Sequence, residues 1–421
     1  MREEADLSLE VAVLLIYGIG MLLFGLLLFK IHTGDLPFSP NSTYGQFLVL
    51  VSFQVITMGK TPFGDLRRSW ALVIIGMFTA FFGIATCFIP GYFTEVVRTL
   101  VGIILLAGGI VLFIQLCTSE KKAKLWIKIG GVLWQLTIAC ALVYALSIIL
   151  GIRTLFSGFT TDLQTRILLI FYGISFFYLS WCIWKAIRTY GPEKPDDSAS
   201  SMQEADRSDS KGRLTLFREA SLPLSLAILI LSGVLFTFLG LLFVPVILHL
   251  LPFSPDGQLG LLLTIMAIQM MTLGESPLGH YTRSWLMIII GLVFAALGAV
   301  SCIVPGLLTG MIQILLGILN ILGGVAFFSR LFLPKLQGIR TTPKAPGVIS
   351  PVVKKLGGTL IVINSVTIAF GISMLLPGLF SGLAGLAVPV LIVVMGLLLF
   401  RLASLQQKVA RMQASGEPQV I

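Results

Sequence analysis

The sequence predicts an all-α membrane protein of about twelve transmembrane helices, arranged as two parallel six-helix repeats built from helix hairpins. Three observations lead there. Of 421 residues, 56% are hydrophobic and only 11% charged, against about 25% charged in an ordinary soluble domain. The apolar residues gather into twelve runs, most of them long enough to cross a bilayer. The two halves of the chain also repeat one another at a constant offset of 215 residues.

This composition excludes a soluble enzyme, a nucleic-acid-binding domain and a secreted disulfide scaffold, because too little polar surface exists to keep such a chain dispersed. The runs of the first half are Val11–Phe29, Tyr44–Met58, Trp70–Ile89, Phe93–Cys117, Ile127–Leu150 and Ile167–Ile187. Those of the second are Leu222–Leu250, Leu259–Leu273, Trp285–Val304, Leu307–Leu333, Leu356–Leu376 and Leu383–Leu402. None shows the dyad alternation of a barrel strand, so every span is expected to be helical. Gly and Pro within the runs are compatible with that, since transmembrane helices tolerate both. The acidic opening MREEADLSLE does not resemble a cleaved leader, and the run behind it is long enough to remain in the bilayer.

Charge sets the expected orientation. With the termini and the even-numbered connections on one side, that side holds 25 of the 29 basic residues. Only Lys30, Arg98, Arg153 and Arg166 fall on the other. The bias places both termini in the cytoplasm of a cell membrane and favours anionic lipids as partners on that face. The five cysteines form no CxxC pair, and His32, His249 and His280 are far apart, so neither a metal nor another cofactor is expected.

The duplication rests on residues that hydrophobic composition does not reproduce by itself. LPFSP at Leu36–Pro40 recurs at Leu251–Pro255, and Gln54, Pro62, Trp70, Cys87 and Pro90 match Gln269, Pro277, Trp285, Cys302 and Pro305. An even number of spans per half makes the halves face the same way. The expected domains are a first repeat over 1–188, a polar cytoplasmic linker over 189–218, a second repeat over 219–404 and a cytoplasmic tail over 405–421.

A smaller unit lies beneath the halves. RSWALVIIGMFTAFFGIATCFIPGYFTEVVRTLVGIILLAGGIVLF, Arg68–Phe113, reads as an apolar helix with spaced glycines, a Pro-Gly turn and a second glycine-bearing helix. Arg283–Phe328 repeats it, and Lys355–Leu402 is a fainter copy. This pattern resembles the HdeD-like family of bacterial acid-resistance membrane proteins, whose members are similar to one six-helix half. The resemblance implies two fused units with a part in acid or stress tolerance and no defined molecular activity. Gly64-Asp65-Leu66-Arg67-Arg68 is also similar to the gating loop of major facilitator transporters, although His280 stands where the second copy should have its acid.

Three sets of residues are candidates for function. Gly76 and Gly83, like Gly291 and Gly298, lie two turns apart and suit a helix-packing stripe. Gln54 with Thr57, and Gln269 with Thr272, sit three apart on the short second and eighth spans. There they can bond a neighbouring helix or a polar solute. Arg68 with Trp70, and Arg283 with Trp285, are expected interface anchors. No HExxH, GxSxG or nucleotide-binding motif occurs in a credible context, so no catalytic residue is assigned. Two functions stay open: a non-enzymatic stress-tolerance protein, or a secondary transporter for a small polar solute with a site between the repeats.

Overall fold

The computed structural model describes residues 7–57, 70–118, 130–156, 162–190, 224–273, 275–276, 279–280, 285–338, 351–376 and 386–414. Twelve helices form among them. The first six are α1 (Leu9–His32), α2 (Pro40–Thr57), α3 (Trp70–Phe88), α4 (Thr94–Thr118), α5 (Gly131–Leu155) and α6 (Asp162–Tyr190). The others are α7 (Leu224–Ile247), α8 (Pro255–Leu273), α9 (Trp285–Ile303), α10 (Thr309–Gly338), α11 (Pro351–Leu375) and α12 (Ala387–Ala414). Nine of the described helices are long and apolar enough to cross a membrane. The protein is therefore an all-α, multi-pass membrane protein.

The helices pack as pairs: α1 with α6, α2 with α3, α4 with α5, then α7 with α12, α8 with α9 and α10 with α11. Backbones come close where glycines face each other. A methyl group on Gly45 would lie 2.5 Å from the carbonyl oxygen of Gly83, and one on Gly260 would lie 2.7 Å from that of Gly298. Close backbone approach is a main source of packing energy in lipid, where burying apolar side chains brings little reward. Turns obey the same glycine logic. Gly91 and Gly306, behind Pro90 and Pro305, hold φ of +92° and +81°, which side chains bearing a Cβ rarely adopt.

α2 and α8 stand at the centre. Each touches the other and the α3 or α9 of the opposite half, while α1 lies on α9 and α7 on α3. Phe53 and Leu48 of α2, with Leu261 and Leu263 of α8, are wholly covered.

Several expected boundaries move. The 15-residue runs Tyr44–Met58 and Leu259–Leu273 become helices of 18 and 19 residues, because the polar turn before each is also helical. Ser39 and Ser254 explain this: each side-chain oxygen accepts from a backbone N–H three residues on, Ser42 and Gly257, and Pro40 and Pro255 fill the first helical position. An 18-residue helix rises about 27 Å, close to the hydrocarbon thickness.

α5 runs to Leu155 and α6 starts at Asp162, so Arg153 and Arg166, expected in a connection, are helical. α6 continues to Tyr190, inside the expected linker, and α12 continues to Ala414, inside the expected tail. Glu275–Ser276 pairs antiparallel with Gly279–His280 behind α8.

Candidate functional site

The central helices come first, because the sequence points to them. Gln269 is half-buried on α8 and donates through Nε2 to the Ser232 hydroxyl of α7 at 3.1 Å. The side chains of Gln54, Thr57, Thr272 and Trp70, and the whole of Arg68 and Arg283, lie outside the described residues. Trp285 is 40% exposed and meets Trp184 of α6 edge to face, with ring centroids 6.3 Å apart. Gly83 lies against Gly45 and Val49, Gly298 against Gly260 and Thr264, and Gly291 against the flexible Met271 side chain. Gly76 is buried.

The polar contacts described between the two halves use other residues. Gln46 Nε2 of α2 donates to Thr264 Oγ1 of α8 at 2.7 Å, and that hydroxyl donates on to the Gly260 carbonyl at 2.9 Å. Both side chains are buried. At one end of the same seam, Ser39 N–H donates to Ile303 O at 3.0 Å and Ser254 N–H donates to Phe88 O at 3.1 Å. The LPFSP motif thus starts a helix and ties it to the opposite half. Close by, Asp256 accepts through Oδ1 from the Gly306 N–H at 3.0 Å and from the Thr309 hydroxyl. Asn41 accepts from Thr94 in the same way.

A cavity lies elsewhere, among the described residues. It is an open cleft of about 370 Å³ within the first half, at the end where α1 and α5 finish and α2, α4 and α6 begin. Phe24, Leu28, Phe38 and Leu150 make its apolar wall. Its polar wall carries three arginines, Arg98 from α4, Arg153 from α5 and Arg166 from α6. Arg98 is bound to Glu95 at 3.0 Å, and its buried Nε has no hydrogen-bond partner among the described residues. Arg153 donates to the Thr165 hydroxyl at 3.0 Å and reaches Asp162 at 3.5 Å. Arg166, only 8% exposed, stacks 5.2 Å above the Phe29 ring, and no carboxylate among the described residues pairs with it.

Sequence reasoning did not join these arginines into a site, yet a signal was present. They are three of the four basic residues that break the charge bias, far apart in sequence and brought together by helix pairing. Among the described residues no group of three His, Cys, Asp or Glu side chains is placed to hold a metal ion. No family model, no curated protein and no solved structure matches this chain.

Proposed function

We propose that the chain is a non-enzymatic protein of the cell membrane, made of two like-facing six-helix units that span it about twelve times. On this reading the units are residues 1–188 and 219–404, both termini and the 189–218 linker are cytoplasmic, and anionic lipids face the cytoplasmic side. The packing pairs support it, because exchanging the halves turns each of the three pairs of one half into a pair of the other. Ser39 to Ile303 becomes Ser254 to Phe88 under the same 215-residue shift that relates the two LPFSP motifs. A methyl group on Gly257, in the first turn of α8, would touch the Ser42 hydroxyl in the first turn of α2. The two central helices therefore start at the same end, as like-facing repeats require.

The observation that carries the functional reading is the direct polar contact between the halves. Gln46 is bonded directly to Thr264, and glycines bring backbones together on both sides of that contact. This suits a compact structural unit of the kind the HdeD-like resemblance implies, with a part in acid or stress tolerance. Transport of a small polar solute between the halves is the second reading; the cavity described above lies inside the first half. The test is survival. Cells deleted for this chain should lose viability after acid shock relative to cells carrying it, and equal survival across a series of stresses would end the proposal.

A further inference from the structure

We infer that the three-arginine cavity of the first half binds an amphiphilic oxyanion, a phosphate- or carboxylate-type head joined to a short hydrocarbon body. The charge balance comes first. Asp162 and Glu95 are the carboxylates beside Arg153 and Arg98, and their side chains are 66% and 76% exposed. Solvent screens carboxylates so placed. The Arg98 and Arg153 side chains are 35% and 17% exposed, and Arg166 is almost covered. Three guanidiniums therefore face one lining carboxylate, Asp162, which stands at the exposed edge of the cavity. His32, 3.9 Å from Asp162, adds no negative charge.

A buried guanidinium without a counter-ion is costly, and proteins normally satisfy one with an anion. Arg166 has an aromatic face beneath it and no such anion among the described residues, while Arg98 adds an unused buried donor. Arginine forks match phosphate and carboxylate oxygens with paired hydrogen bonds. Three helices also begin at this end, α2, α4 and α6, and helix starts carry positive partial charge. The apolar wall of Phe24, Leu28, Phe38 and Leu150 supplies what a bare inorganic ion does not need. A cavity of about 370 Å³ lies within the range of small-molecule sites.

The second half argues the same way. Arg98 is matched by Gln313, which gives its Nε2 to the Met374 carbonyl at 2.8 Å. Arg166 is matched by Pro389: their carbonyls lie against Gly25 and Gly240, which the 215-residue shift pairs. The fold thus forms without either arginine in the other copy.

The experiment uses the full chain in nanodiscs of phosphatidylcholine, read by thermal unfolding as octyl phosphate or inorganic phosphate is added. Octyl phosphate should raise the midpoint at concentrations where inorganic phosphate has little effect. Arg166→Gln and Arg98→Gln should each weaken this response about tenfold or more. Should Arg166→Gln not fold, Arg98→Gln carries the test, because it copies the residue of the second half. A parallel set in nanodiscs containing phosphatidylglycerol distinguishes the sources. If the lipid alone raises the midpoint and octyl phosphate adds nothing, a lipid headgroup is the natural occupant. If octyl phosphate still acts, the occupant is a free amphiphile. No shift with any anion in either membrane, or equal shifts in wild type and variants, overturns the inference.

Discussion

Cys87 and Cys302 flank Gly257 where the two halves join, both wholly buried: the Cys87 carbonyl lies against the Gly257 Cα, and the Cys302 thiol points at the Gly257 carbonyl. Each thiol points at a backbone carbonyl 45 residues earlier in the chain: Cys87 Sγ to Ser42 O at 3.4 Å and Cys302 Sγ to Gly257 O at 3.8 Å. Cys302 is the only cysteine after the 189–218 segment, so any disulfide between the halves must use it. A protease site inserted into that segment, followed by a membrane-permeant oxidant, should leave the two fragments joined on a non-reducing gel. Cys87→Ser should abolish the joined band, and Cys140→Ser should not. A joined band that survives Cys87→Ser contradicts the seam.

Neighbouring glycines on one helix should respond differently to a methyl group. A methyl group on Gly109 would lie 3.1 Å from the Tyr144 carbonyl and 2.9 Å from Ile148, whereas one on Gly108 has nothing within 4 Å. Gly109→Ala is expected to cost about 1–3 kcal/mol through overpacking, with Gly108→Ala neutral. Gly83→Ala should fall with Gly109→Ala, because its neighbours are the Gly45 carbonyl and the Val49 backbone. Gly291→Ala should be milder, since its nearest neighbour is the Met271 side chain and the nearest backbone atom, the Ala267 carbonyl, would lie 3.4 Å away. Unfolding midpoints in one detergent check the order, and equal losses at Gly108 and Gly109 contradict it.

The helix-packing glycines were visible in the sequence because their spacing is local and lipid leaves few other ways to hold helices together. LPFSP was visible as a repeat, but its role was not. Half of that role is a bond from Ser39 to Ile303, and nothing local announces a partner 264 residues away. Gln46 was hidden in the same way, since its partner Thr264 belongs to the other half. Arg153 and Arg166 were placed in a connection because apolar runs stop at charge. The helices continue through them, and helix packing then turns both guanidiniums into a cavity. The Glu275–His280 pair left no alternating pattern to read in GESPLGH.

The Gln46–Thr264 bond should be worth little by itself. Interhelical hydrogen bonds in membranes average about 0.6 kcal/mol in double-mutant cycles, with a maximum near 1.7. A cycle of Gln46→Leu and Thr264→Val should return a coupling in that range. Thr264 also donates to Gly260, so the single Thr264→Val change removes two hydrogen bonds and should cost more than Gln46→Leu. A coupling near zero would mean that the two side chains do not meet in the membrane.

Asp256 invites a different reading, as a buried carboxylate in the first turn of a central helix. Carboxylates inside membrane proteins often mark proton or ion pathways. Its contacts here are those of an acceptor: the Gly306 N–H, the Thr309 hydroxyl and, on its backbone carbonyl, the Ser301 hydroxyl. Asn41 does the equivalent work toward Thr94 with a neutral amide oxygen. If acceptance is the role, Asp256→Asn should keep stability and function near wild type. Asp256→Ala should cost about 1–3 kcal/mol by leaving the Gly306 and Thr309 donors unpaired. The measurement is paired, a thermal midpoint and stress survival for each variant. Loss of survival in Asp256→Asn with an unchanged midpoint would show that the charge itself is used, and would move the functional centre of the protein to the start of α8.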